Sequence, residues 1–243
     1  MLIRYRNIAL VLLLAMPIGA IAGQMGEVNL RAQITIDPAG KLVALEWPRA
    51  YEKSKPLLDR IGRVVQGWEF EPGKVDGLPA VTQTGLLLRV GERRDSQGVP
   101  SLAVLDASTG SQSTKVVTPT FPKGKSGVSA EVVLVMDIDA SGKVVKAETE
   151  AYDSPTKNKR VREEFEAVAL DAARQWEFLP ERVAGKGVAS RVRVPFQFCW
   201  DVQWCKVRDR ERSDQGKPAQ PSGTAVALDS VVKIKSDIDA IGI

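Results

Sequence analysis

The stretch "GWEFEP", Gly67 to Pro72, returns as "QWEFLP", Gln175 to Pro180, and this recurrence constrains the chain more than any other feature of it. Trp68 and Trp176 stand 108 positions apart, and the same offset carries through to the segments ending at Val90 and Phe198. Upstream, "ITIDPAGKLVALE" lies over "MDIDASGKVVKAE" at an offset of 102, so the second copy holds six more residues in its middle. Self-similarity of this extent reads as a duplicated domain.

Each copy follows one physical plan. Leu30, Ala32, Ile34 and Ile36 alternate with polar residues, and Val132, Leu134, Met136 and Ile138 take the same places in the second copy, the period of a half-buried strand. The turns "DPAG" and "DASG" put Asp first and Gly fourth, which favours a hairpin. The period then lengthens. Val161, Phe165, Val168, Ala169, Ala172, Ala173 and Trp176 share one helical stripe, matched by a shorter one through Leu57, Leu58, Ile61, Val65 and Trp68. Each Trp is expected to end its helix's apolar stripe, with Pro72 and Pro180 marking where the chain is no longer helical. A last strand turns Thr84, Leu86, Leu88 and Val90 inward, and Val192, Val194, Phe196 and Phe198 in the second copy. The expected fold class is α+β: two tandem β-β-α-β units, each a small, mostly antiparallel sheet packed by one helix. Pro195, which cannot donate to a ladder, points to a sheet edge.

The chain divides on this reading into 1–22, a signal peptide; 23–91, the first unit; 92–117, a linker; 118–205, the second unit; and 206–243, a flexible charged linker and tail. Arg4 and Arg6 precede an apolar run that ends in Ala20, Ile21 and Ala22, the layout of a secretory signal cut before Gly23. The run is short of the roughly 20 residues that a membrane span needs, and an uncleaved inner-membrane anchor is the alternative. Without Arg4 and Arg6 the chain carries 32 basic against 30 acidic side chains, too even a balance for nucleic acid as a partner.

Cys199 and Cys205 enclose five residues and, in an exported protein, close a disulfide loop. The chain has no His, which removes the commonest general base and an important metal ligand. Asp37, Glu69, Asp139 and Glu177 recur as carboxylates, but turn caps and solvated helix ends account for them without catalysis. "DIDASGKVVKAE" also fits a calcium loop, with Asp137, Asp139, Ser141 and Glu148 as oxygen donors. The alternating, β-branched flanks favour the hairpin instead, and calcium stays the weaker alternative. No cofactor, catalytic residue or small-molecule substrate is expected.

From "PTFP", Pro119 to Pro122, through "AEVVLVMDIDASGKVVKAE", the amphipathic helix and "QWEFLP" to "VRVPFQF", the second copy resembles the C-terminal domain of the TonB family of energy transducers. Residues 119–198 carry the strong match and 28–90 a weaker one. The resemblance implies a non-enzymatic periplasmic binding or adaptor protein. It implies contact with an outer-membrane TonB-dependent receptor, or another envelope protein, in transport across the envelope. It implies strand addition along Arg191, Val192, Arg193, Val194, Pro195, Phe196, Gln197 and Phe198, with Arg191 and Arg193 facing outward to read a polar or acidic peptide. The alternative for these arginines is charged blunting of an edge. Transducers of this family carry a functional His in a spanning helix and a long Pro-rich reach. This chain has neither feature, so a membrane-anchored energy transducer is the alternative reading, as is a calcium-binding or structural envelope protein.

Overall fold

The computed structural model describes residues 27–94, 96–214, 222–238 and 241–242. The expected signal peptide, 1–22, lies outside the described residues.

The first half opens with β1 (Val28–Ile36) and β2 (Leu42–Glu46), joined by the Asp37 turn, in which the Lys41 amide donates to Asp37 Oδ1 at 2.9 Å. Helix α1 (Lys55–Gln66) carries Pro56 in its first turn, where a missing amide hydrogen costs nothing. Then come β3 (Phe70–Glu71), the small hairpin of β4 (Lys74–Val75) and β5 (Leu78–Pro79), and the long β6 (Thr82–Arg94). β1 lies between β2 and β6, antiparallel to both. The alternating residues of β1 and β6 bury one face beneath Leu58, Ile61 and Val65 of α1, and Trp68 and Phe70 close the core.

β7 (Pro100–Gly110) and β8 (Gln112–Lys115) follow. The second half is β9 (Ala130–Ile138), β10 (Val144–Asp153), α2 (Lys159–Ala173), β11 (Glu177–Leu179), β12 (Arg182–Val183), β13 (Lys186–Gly187) and β14 (Ser190–Phe198). Asn158 caps α2, its side-chain oxygen accepting from the Arg160 amide at 3.0 Å. β9 lies between β10 and β14, and Phe165, Ala169 and Ala173 of α2 cover the buried face with Trp176 and Phe178. The chain is thus mixed α and β with mostly antiparallel sheets.

Trp68 and Trp176 carry the buried stripes on from just beyond their helices: α1 stops at Gln66 and α2 at Ala173, and the tryptophans fold back from the turn that follows, 2% and 1% exposed. That turn sets a short strand against the Asp turn of the same half: the Phe70 amide donates to Gly40 O at 2.9 Å and the Phe178 amide to Gly142 O at 2.8 Å. Gly142 has φ +90°, and a Cβ there would run into the Phe178 carbonyl.

Two stretches read as connectors are built into the sheets. Within 92–117, β7 pairs with β6 from Gly85↔Gly110 to Arg94↔Pro100, and β8 pairs with β11. Within 206–243, helix α3 (Val202–Asp214) runs on from the disulfide, and β15 (Val226–Ala227), β16 (Lys233–Ile234) and β17 (Ile241–Gly242) each join a sheet. The halves are also stitched directly, because β12 of the second half extends the first sheet alongside β6.

The two straps are reciprocal. β7 lines the outer side of β6, and its continuation β8 crosses to pair with β11 of the other half. β15 lines the outer side of β14, and its continuation β16 crosses to pair with β3 of the first half. They meet where Thr109 Oγ1 donates to Val232 O at 2.7 Å. Among the described residues no helix is long and apolar enough to cross a membrane.

Candidate functional site

β14 contains every residue of the expected docking strand and pairs with β9 without a break from Ser190↔Ile138 to Phe198↔Ala130. Val192, Val194, Phe196 and Phe198 are buried in the core beneath α2, so the strand is fixed from below. Its backbone alternation leaves the odd-numbered residues to address the other side. That parity explains Pro195: its missing amide hydrogen lies away from β9, whose ladder stays intact.

The expected edge is not open. Arg193 pairs with Val226 and Val192 with Ala227. The Gly223 amide donates to Pro195 O at 2.7 Å and the Leu228 amide to Arg191 O at 2.8 Å. The Arg191 amide donates to Asp229 Oδ1 at 2.7 Å, and the Gln197 amide to Ser222 Oγ at 2.9 Å. Residues 222–229 therefore run antiparallel along the β14 edge, with Val226–Ala227 as their paired strand.

The arginines do not face an empty groove either. Arg191 Nε donates to Asp137 on β9 at 2.7 Å, and Arg193 Nη2 to Glu150 on β10 at 2.6 Å, a ladder of charges on the outer face of the sheet. The hydrogen bond from Arg191 holds the Asp137 carboxyl below the usual carboxylate range. Charged cross-strand pairing accounts for both side chains, so the backbone is what the edge offers a peptide. The opposite edge, β10, is interrupted by two register shifts and set with Lys146, Glu148 and Glu150, features that discourage strand addition.

The calcium-loop residues are occupied separately. Asp139 accepts from the Ser141 hydroxyl at 2.7 Å and from the Ser141 and Lys143 amides, which lowers its pKa; Glu148 pairs with Lys146, and Asp137 with Arg191. Among the described residues no group of three or more His, Cys, Asp or Glu could hold a metal ion. Cys199 and Cys205 are joined in a disulfide that ties the end of β14 to α3.

No local period or motif singles out Glu181. It is 1% exposed, and its carboxylate accepts the Thr84 hydroxyl at 2.7 Å, the Ser230 hydroxyl at 2.8 Å and the Val231 amide at 3.1 Å. One buried side chain thus joins β6, the second half and the returning tail. A separate concavity of about 360 Å³ lies beside α1, where Trp47, Tyr51 and Leu58 are rimmed by Arg49, Glu52 and Lys55.

No family model matches the chain, and no solved structure matches it. The chain is similar to TonB. "Protein TonB" of Xanthomonas campestris pv. campestris, in strain B100 and in strain ATCC 33913, is 36% identical to it over 96 residues. That stretch is 39% of this chain, and the chain spans about 40% of the length of these curated relatives. The similarity supports a TonB-like domain within the chain.

Proposed function

We propose that the chain is a non-enzymatic periplasmic adaptor built from two TonB-like β-β-α-β units, 23–91 and 118–205. Its second unit docks an extended segment of an outer-membrane TonB-dependent receptor along Arg191 to Phe198. The observation that carries this reading is that β14 already holds an extended antiparallel segment by its backbone, which is the geometry of strand addition. Similarity to TonB supplies the class of partner.

The matched element order of the two halves supports the duplication: hairpin, helix, short Trp-Glu-Phe strand and long final strand occur in each. In the first half the corresponding edge of β6 is closed along β7, which leaves the second half as the docking unit.

Isothermal titration of the protein beginning at Gly23 with extended peptides from outer-membrane TonB-dependent receptors tests the reading, with a TonB C-terminal domain as positive control. Binding is expected, and it is expected to disappear with Arg193→Pro, which removes a donor from the outer side of β14. Peptides that bind the control but neither this protein nor its Val226→Pro variant, which loosens the segment paired with β14, overturn the receptor reading. A membrane-anchored transducer would share the edge but differ at its N-terminus. Mass spectrometry of the native protein separates the two, since Met1 retained in the membrane supports the anchor and Gly23 first supports the exported adaptor.

A further inference from the structure

We infer that residues 222–229 are a latch: a built-in occupant of the β14 edge whose place an incoming peptide takes, while the rest of the tail stays fastened. The inference rests on the docking edge proposed above and specifies both its regulation and the chemistry of its ligand.

The tail is held very unevenly along its length. From Ser230 onward it is anchored in the interior: Glu181 accepts from Ser230 and Val231, Thr109 donates to Val232 O, and Val232 is 2% exposed. Farther on, β16 pairs with β3, the Lys235 amide donates to Glu69 O at 2.8 Å, and the Glu69 amide donates to Ser236 Oγ at 2.8 Å. Residues 222–229 are held more shallowly: Thr224 is buried and Ala225 packs against the second core, but Ser222, Leu228 and Asp229 are exposed. Their ladder with β14 consists of Val192↔Ala227 and Arg193↔Val226, and Leu228 at the end of the segment is 44% exposed. The equivalent strap on β6 runs the whole way from Gly85↔Gly110 to Arg94↔Pro100. One outer edge is closed by a continuous ladder, the other by a two-residue ladder with single bonds on either side of it.

The latch also shows what the edge accepts. Its bonds go to the backbone of β14 at Arg191, Pro195 and Gln197, with the ladder at Val192 and Arg193 between. The two terminal amides, Gln197 and Arg191, are met by side-chain oxygens, the Ser222 hydroxyl and the Asp229 carboxylate. Between those oxygens the segment is "GTAVAL", small or apolar throughout. The ligand is therefore an extended peptide antiparallel to β14, with a hydroxyl acceptor at its N-terminal end, a carboxylate seven residues later and small apolar residues between. A tethered competitor acts at an effective concentration of about a millimolar, so the latch suppresses any free peptide of modest affinity.

The test uses a fluorescent peptide of sequence SGTAVALD, identical to residues 222–229, added to three forms of the full chain from Gly23. These are wild type, a released form with Val226→Pro, and a locked form with Arg193→Cys and Val226→Cys joined as a disulfide across a directly opposed pair. The released form is expected to bind at least ten-fold more tightly than wild type, and the locked form not at all until reduced, against wild type reduced in parallel. Asp229→Ala, which removes one side-chain acceptor without a proline, is expected to fall between wild type and the released form.

Equal binding by the wild-type, released and locked forms overturns the latch, as does a released form that binds no peptide. A released form that becomes a stable dimer on size-exclusion chromatography, in place of binding peptide, also overturns it and makes a second copy of this chain the occupant. If the SGTAVALD peptide binds as expected and receptor peptides do not, the latch stands and the receptor reading falls.

Discussion

Glu181 accepts the Ser230 hydroxyl at 2.8 Å from a position 1% exposed, and through this bond the returning tail is held against the junction of the two halves. The same carboxylate takes the Thr84 hydroxyl from β6. A buried carboxylate is tolerated only when its oxygens are met by donors, and here three donors converge on it. Glu181→Ala leaves those donors without their acceptor and is expected to cost roughly 2–4 kcal/mol in guanidinium unfolding, by the penalty for orphaned buried polar groups. A cost below about 0.5 kcal/mol, the range of neutral surface substitutions, contradicts the keystone role.

Gly110 sits at φ +144° where the two straps pass, and a Cβ there would strike the Ala227 side chain. Gly110→Ala therefore meets both an unfavourable backbone region and a neighbouring strand. The expected loss is about 1–3 kcal/mol by denaturant titration, with faster amide exchange at Ala227 than in wild type. Gly98→Ala provides the contrast, since Gly98 shares a positive φ but has nothing within 4 Å of the added carbon.

The repeated tryptophans are equivalent in position and unequal in bonding. Trp176 Nε1 donates to Val117 O at 2.9 Å, whereas Trp68 Nε1 has no such partner among the described residues. Both Trp→Phe substitutions remove similar volume, so the difference between them reads the hydrogen bond. Trp176→Phe is expected to destabilise by about 1 kcal/mol more than Trp68→Phe. Equal losses would assign the stabilisation of both residues to packing alone.

Acid should loosen the outer face of the second half. The Lys143 ammonium holds the Glu177 carboxyl below the usual range, Arg191 does the same for Asp137, and the Ser141 hydroxyl for Asp139. A carboxylate whose pKa is depressed on folding adds stability that is complete above its unfolded value, near 4, and is lost as pH falls through the folded value. The denaturation midpoint is therefore expected to be level above about pH 5 and to fall below about pH 4. Asp137→Asn should flatten part of that fall; an unchanged profile contradicts the assignment.

The parts of the fold legible in the sequence were those written in a local period. The alternation of Leu30 to Ile36 and of Val132 to Ile138, the Asp turns and the helical stripes all reappear as buried faces. The straps were not legible, because pairing between β16 and β3 joins Lys233 to Glu71 across most of the chain and leaves no periodic trace. Their composition also misleads. Thr109, Ser111 and Ser230 look like loop residues, yet their hydroxyls bond Val232 O, the Ser190 hydroxyl and Glu181 at the junction. At the proposed docking edge, alternation located β14 and its inward residues, while the segment covering it and the partners of Arg191 and Arg193 depend on strands distant in sequence.

Docking of an extended peptide on the outer side of β14 is read residue by residue by amide NMR of the full chain from Gly23 during titration with a receptor peptide. Shifts are expected at the outward amides of Arg191, Arg193 and Gln197, together with release of residues 222–229, while Val194 and Phe196, paired with β9, change little. Shifts confined to β10 or to the concavity around Trp47 and Tyr51, with Arg191 and Gln197 unmoved, would contradict it.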